Sequence, residues 1–251
     1  MKKAADAASS DGSGLRDSAP HYHGHRQRLR DRFMDAGEAA LADYEMLELL
    51  LFRAIARRDV KPLAKALITR FGSFAETVAA RPERLREVEG LSEAAIVEIK
   101  LVEAAAKRLA RGALQKRPVL SSFMEVLDYC RTAMAFAERE EFRILFLDKR
   151  NALIADEVQG VGTIDHTPVY PREIVRRALE LGASALILAH NHPSGAAQPS
   201  ESDKLFTEDL YAALKPIRVQ LLDHVVVAGD SVFSFADSGM MDEIALAKAT
   251  G

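Results

Sequence analysis

Residues 190–203 read His190-Asn191-His192-Pro193-Ser194-Gly195-Ala196-Ala197-Gln198-Pro199-Ser200-Glu201-Ser202-Asp203. The seven residues before them, Ala183 to Ala189, are a short apolar run that follows the helix-ending Gly182, and they predict a buried strand. Alternation along a strand places His190 and His192 on one face and Asn191 on the other. Pro193, Ser194 and Gly195 then turn the chain. A helix is predicted over 201–214, closed near Pro216. Asp203 falls in its first turn, where it comes back over the two imidazoles. His190, His192 and Asp203 therefore have a spacing that can hold one zinc ion. Structural zinc sites are usually closed by four cysteine-rich ligands, whereas catalytic sites keep three protein ligands and leave the fourth position to water. The chain has one cysteine, Cys130, so the open arrangement is the natural reading. Taken singly the signals are weak. A His-x-His pair is common at strand ends, and Ser200 with Asp203 also fits an ordinary helix cap. Their conjunction is what points to a metal.

The spacing His-x-His, seven residues, Ser, two residues, Asp resembles the signature of the JAMM (MPN/JAB) metallopeptidases, and 190–203 match it without a gap. The wider chain is similar to the bacterial RadC family in Leu145-Phe146-Leu147-Asp148, Gly162-Thr163, Pro171-Arg172-Glu173-Ile174, Ala189 to Gly195 and Leu222-Asp223-His224. Gly24-His25-Arg26 with Arg28-Leu29-Arg30 resembles the start of the same family's N-terminal region, so the likeness runs over about residues 23–240. It implies an α/β fold, an MPN/JAB-like (cytidine-deaminase-like) mixed α/β sandwich preceded by a small all-helical domain.

At 251 residues, 48% hydrophobic and 28% charged, the chain has the composition of one or two globular domains. No apolar run approaches the roughly 18 residues that span a bilayer, and the N-terminus lacks the apolar core of a signal peptide. With a lone cysteine there is no intrachain disulfide. The expected setting is the bacterial cytoplasm, with no membrane partner. Charge is uneven: 22 Lys+Arg against 17 Asp+Glu over 1–118, and 12 against 20 over the remainder. A mildly basic module thus precedes an acidic one.

Residues 1–22, rich in Ala, Ser, Gly and Asp, are expected to be a disordered tail. His21, His23 and His25 alternate at its end and read as solvated, with adventitious metal binding as the sharper alternative. A basic helix begins with Arg26, Arg28, Arg30 and Arg32. The helical domain spans 23–115, with Asp43 as a predicted N-cap for 44–52, then helices over 60–71 and 74–80. Gly90 ends the next helix and Ser92 caps the one after. That pairing resembles a helix-hairpin-helix motif, whose backbone N–H groups can meet a phosphate. Gly90, Ser92 and Lys100 are its candidate nucleic-acid contacts, and sequence-independent DNA is its candidate partner. Glu87, Glu89 and Glu93 crowd the turn and weaken that attraction, leaving a structural or protein-docking module as the alternative.

Lys116-Arg117-Pro118 marks the boundary to a second domain over 119–240, with 241–251 expected as a C-terminal tail. Ser121 or Ser122 caps a helix reaching about Phe136. Strands are predicted over 142–147, 152–159, 219–228 and 232–236, and a helix from Val169 or Pro171 to Leu181.

Hydrolysis at such a metal also needs a base for the attacking water and an acid for the leaving amine. The resemblance implies a glutamate ahead of the metal motif, where Glu140 is the best match and Glu141 the fallback. Glu140 shares the parity of Phe142, Ile144 and Phe146. Glu157 and Glu173 lie in other elements. The resemblance also implies that Ser200 steadies the developing oxyanion. His166, in a Thr/Asp/His/Pro loop, could border the cleft, and His224 reads as a histidine near a strand's start satisfied by its neighbours. Tyr170 stands where many family members carry histidine. The expected activity is zinc-dependent cleavage of a peptide or isopeptide amide in a protein substrate, with one Zn2+ per chain. The alternative is a DNA-associated accessory protein whose metal site is structural or vestigial. A magnesium nuclease fits the histidine-rich single site poorly. A zinc nucleobase deaminase lacks its Pro-Cys-x-x-Cys segment.

Overall fold

The structure, a computed structural model, describes residues 21–116, 123–162, 169–193 and 195–248. Among the described residues six α-helices come first: α1 (His21–Ala36), α2 (Asp43–Ala54), α3 (Lys61–Phe71), α4 (Phe74–Ala79), α5 (Pro82–Arg86) and the 24-residue α6 (Glu93–Lys116). They enclose a core of Leu47, Leu51, Leu63, Leu67, Leu85 and Ile99, all buried. Asp43 departs from its expected place. It is the first residue of α2, whose leading Ala42 N–H is instead taken by the Glu45 carboxylate at 3.0 Å. The Asp43 carboxylate accepts from Phe74 N–H at 2.7 Å and so joins the starts of α2 and α4.

Between α5 and α6 the Ser92 cap forms as its sequence predicts, but α5 ends at Arg86, and Gly90, expected to end it, stands in the turn that follows. Gly90 has φ +83°, a left-handed conformation that favours glycine, and Ser92 Oγ accepts from Ala95 N–H at 3.3 Å to start α6.

The second domain runs α7 (Phe123–Met134), β1 (Glu141–Leu147), β2 (Leu153–Val161), α8 (Pro171–Leu181), β3 (Ala185–Asn191), α9 (Glu201–Leu214), β4 (Gln220–Ala228), β5 (Ser231–Ser234) and α10 (Met240–Ala247). The five strands form one mixed sheet in the order β2-β1-β3-β4-β5, antiparallel except for the β3–β4 pair. A parallel pair needs a crossover, and α9 is that crossover. Phe142, Ile144, Phe146, Leu186 and Leu188 pack on one face with residues of α8, α9 and α10, while Leu145, Leu147, Ile187 and Ala189 pack on the other with α7. Covered on both sides, β3 is buried throughout, which is why its sequence is continuously apolar rather than alternating. Gly182, at φ +63°, closes α8 in the left-handed conformation and feeds the chain into β3.

Two boundaries are corrected. Residues 241–247, expected as part of a tail, belong to α10, because Met241 and Ile244 sit one helical turn apart and are buried in the sandwich core. His21 and Tyr22 belong to α1, while the rest of the expected N-terminal tail lies outside the described residues. So do the expected caps Ser121 and Ser122, and His166.

A bulge in β4 decides which way His224 faces. Leu186 pairs with Leu221 but Ile187 pairs with Asp223, so Leu222 is an extra residue. The insertion reverses the parity of the strand. Leu221 and Val226 share the α9-side core, and His224 faces that side too, opposite Leu188.

Candidate metal centre

His190 is the penultimate residue of β3 and fully buried, and His192 follows the strand with its N–H still donating to Val227 O at 2.8 Å. Gly195, at φ +91°, returns the chain, its N–H donating to His192 O at 3.1 Å. Ser200 caps α9 and Asp203 is the third helical residue. The three residues come together as their spacing predicts: one ligand atom from each lies within 4.8 Å of the others.

The hydrogen bonds around them fix which atoms face the centre. His192 Nδ1 stands 2.8 Å from Ala196 O. A carbonyl only accepts, so Nδ1 carries the proton and Nε2 the lone pair. On the other side, Thr207 Oγ1 lies 2.5 Å from Asp203 O and must donate to it. The same hydroxyl therefore accepts from His224 Nδ1–H at 2.6 Å, which leaves His224 Nε2 to accept from His190 Nδ1–H at 2.8 Å. His190 Nε2 thus also carries a lone pair. The two unprotonated Nε2 atoms stand 2.9 Å apart, with Asp203 oxygens 3.4 Å from one and 3.5 Å from the other. Two lone pairs and a carboxylate converging with no proton between them call for a positive charge at their centre, and a metal ion fits that donor set.

Burial, and then positive charge at the centre, push the His224 pKa well below its ordinary value, so His224 is neutral. Burial opposes ionisation of Asp203, but positive charge at the centre and the Ser200 donors outweigh it and hold the carboxyl well below the usual carboxylate range. Phe142 stacks on His190 with ring planes 5° apart and covers the buried side.

Ser200 serves Asp203 in two ways. Its N–H donates to Asp203 Oδ2 at 2.7 Å and its Oγ–H donates to the same oxygen at 2.6 Å, while Asp203 N–H returns to Oγ at 3.2 Å. The capping box and the ligand reading are therefore the same object. The cap holds Oδ2 and leaves Oδ1 turned toward His190.

Of the two candidate glutamates, Glu141 lies on the far face, paired with Arg143 at 2.5 Å, and Arg143 in turn holds Asp156 at 2.6 Å. Glu140 precedes β1 and is half-buried, its carbonyl accepting from Gly162 N–H at 2.9 Å. Glu157 is taken by Arg177 through both oxygens, and Glu173 pairs with Arg176 at 3.1 Å. Tyr170 is exposed beside Arg172.

A concavity of about 400 Å³ opens beside His192, with Pro193, Gly195 and Phe136 on one side and Phe71 and Arg84 of the helical domain on the other. A larger cavity of about 590 Å³, between α4, α6 and α7, includes none of the three ligand residues. Of the two, only the smaller one includes a residue of the His-His-Asp cluster, His192. Arg84 bridges the two domains through Glu138 at 2.6 Å.

In the helical domain His25 is not solvated. Its Nε2 bonds the buried Glu48 at 2.6 Å. Lys100 is drawn inward, donating to Val78 O and Ala80 O at 3.0 Å each and pairing with Glu103. Glu87 and Glu93 at the hairpin are paired with Arg70 and Arg86. Spacing does not mark Arg58, whose guanidinium donates to Gly90 O at 2.7 Å. Nor does it mark Thr207 or the part His224 plays. Among the described residues no helix is long and apolar enough to cross a membrane.

The model of the RadC-like JAB domain matches residues 120–240, and that of the UPF0758 N-terminal domain matches residues 23–97. The helical unit and the five-stranded mixed sheet, with the His-His-Asp cluster at the end of β3 and the start of α9, fall within the two matched ranges except for the start of α1 and the end of α6. The chain belongs to the RadC family and carries the MPN/JAB fold.

Proposed function

We propose that the chain is a zinc-dependent hydrolase of the JAMM type that cleaves peptide or isopeptide amide bonds in a protein substrate. The observation that carries this reading is the hydrogen-bond pattern that leaves unprotonated Nε2 atoms of His190 and His192 facing each other beside Asp203. Three protein ligands of this kind suit Zn2+ with one position left open. A zinc ion held there supplies Lewis acidity, polarising a carbonyl and acidifying a water.

The chain's own residues supply the rest. Glu140, just ahead of β1, takes the proton of the attacking water and returns it to the leaving amine. His224 and Thr207 keep His190 in the ligating tautomer. Ser200 holds Asp203, and steadying an oxyanion requires its hydroxyl to turn away from Oδ2. The substrate backbone lies in the cleft between Phe136 and Phe71.

The test is metal content of untagged protein by elemental analysis, with His192→Ala beside wild type, followed by a screen of amide substrates with Glu140→Gln. About one zinc per chain, lost in His192→Ala, and turnover lost in Glu140→Gln without loss of zinc, are the expected results. Zinc-free wild type, or full turnover by Glu140→Gln, overturns the reading.

A second reading, DNA contact through the helical domain, draws on the left-handed Gly90 turn with Arg57 and Arg58 beside it. DNA affinity that survives metal removal and falls in Arg58→Ala is its signature. Lys100, spent on backbone carbonyls, has no part in it.

A further inference from the structure

Asn191 lies between the two histidine ligands and points away from them. Its side chain is buried, and every hydrogen-bonding group on it is engaged by one segment, the connection between α7 and β1. Oδ1 accepts from Glu141 N–H at 2.8 Å, while Nδ2 donates to Ala137 O at 3.2 Å and to Arg139 O at 3.1 Å. The amide thus grips the backbone immediately before and immediately after Glu140. The carbonyl of Glu140 itself is tied to Gly162 on β2, and Glu138 is tied to Arg84. Next along the strand, Phe142 pairs with His190 in the β1–β3 register.

From this we infer that Asn191 is a positioning residue: anchored between the metal ligands, it fixes Glu140 against the metal through three backbone hydrogen bonds. The inference rests on the reading of Glu140 as the proton carrier. Physically it is economical. A short rigid amide on the strand that bears the ligands transfers the position of that strand to a connection with no regular structure of its own. Aspartate at 191 presents a carboxylate oxygen where Nδ2 now donates to two carbonyls, and leucine offers no partner at all. A buried amide whose two donors and acceptor all meet one segment is a tether to that segment, and its removal strands three backbone groups at once.

The experiment uses the full chain loaded with Co2+, in wild type, Asn191→Ala, Asn191→Ser, Glu140→Gln and the double variant Asn191→Ala with Glu140→Gln. Three quantities are read: cobalt stoichiometry, hydrogen exchange of the Glu141 amide, and the pH midpoint of the visible cobalt spectrum. The expected result is unchanged stoichiometry and faster exchange at Glu141 by about tenfold or more, as for loss of a bond worth about 1.4 kcal/mol. The spectral midpoint in both Asn191 variants moves in the direction seen for Glu140→Gln, and the double variant moves no further than Glu140→Gln alone.

Asn191 is refuted as a positioning residue by a midpoint equal to wild type in both of its variants. Additive shifts in the double variant refute it equally, since they make the two residues independent. Loss of cobalt in both Asn191 variants assigns Asn191 to the ligands instead and also overturns the inference. A silent Glu140→Gln defeats the reading of Glu140, and the inference falls with it. That outcome is told apart from failure of the clamp by the exchange of the Glu141 amide.

Discussion

Thr207 is the far end of the chain of bonds that fixes the His190 tautomer, and Thr207→Val tests that chain with almost no change of shape. Valine keeps the branched outline but leaves the buried His224 Nδ1–H without its 2.6 Å acceptor. An unsatisfied buried donor costs about 1–3 kcal/mol. His224 escapes the cost by moving its proton to Nε2, but Nε2 then meets the proton on His190 Nδ1 across 2.8 Å. His190 must in turn protonate Nε2 and cease to be a ligand. Either route charges the same free energy to metal binding, so affinity falls by about 10–100-fold, equivalent to about 1.4–2.7 kcal/mol. The assay is Zn2+ competition against a chromophoric chelator at pH 7.5, with Thr207→Ser as control because it retains the hydroxyl. Thermal unfolding of the metal-free proteins checks that the fold is intact. Affinity in Thr207→Val within about twofold of wild type refutes the tautomer reasoning, as does an equal loss in Thr207→Ser.

The same geometry sets further expectations. Because the folded-state pKa of His224 lies below its unfolded value, the unfolded chain binds the extra proton. The metal-free protein therefore keeps the full contribution above about pH 6.5 and loses up to about 1.4 kcal/mol per pH unit as pH falls below it. Denaturant melts at pH 7.5 and 5.5 measure that slope, and a slope unchanged in His224→Gln counts against its assignment to this residue. Glu141→Gln weakens the pair with Arg143 and lowers stability by about 1 kcal/mol, yet leaves zinc content and any amide turnover at wild-type level. Lys100→Met strips two carbonyls of α4 and its neighbour of their donor and costs about 1–3 kcal/mol in thermal melts, while DNA retention on a heparin or DNA column stays the same. Phe142→Ala opens a cavity against His190 and costs about 3–5 kcal/mol in denaturant unfolding, and a loss below about 1 kcal/mol contradicts the stacking described for it.

The metal motif is legible in the sequence because each of its elements is local. An apolar strand, a Pro-Ser-Gly turn and a capped helix place three side chains by short-range rules alone, and the structure brings His190, His192 and Asp203 together as those rules require. The support behind the ligands is not legible. Strict alternation from Leu221 turns His224 away from His190, and the extra residue at Leu222 that brings it back leaves no mark in composition or spacing. Alternation does send Asn191 to the opposite face, but its partners are backbone atoms at 137, 139 and 141, whose side chains say nothing about them. Lys100 illustrates the reverse. A cation close to a hairpin suggests phosphate, and only the fold shows that the end of α4 has already claimed it. The C-terminal boundary fails for a plainer reason. An eight-residue helix with one buried i, i+3 pair offers too little periodicity to stand out from a tail.

The crossover that joins β3 to β4 has a consequence for the lifetime of the protein. His190 belongs to the strand and Asp203 to the helix, so an ion shared between them closes the intervening turn into a small ring. Residues 195–200 then cannot peel outward without a coordination bond breaking first, and the rate of local opening is capped by the rate of metal departure. Without the ion that restraint is lost, and the turn, rich in proline, serine and glycine, becomes more readily nicked by proteases while the rest of the sheet stays folded. Metal supply would then set the abundance of the intact chain as well as whatever chemistry the site performs.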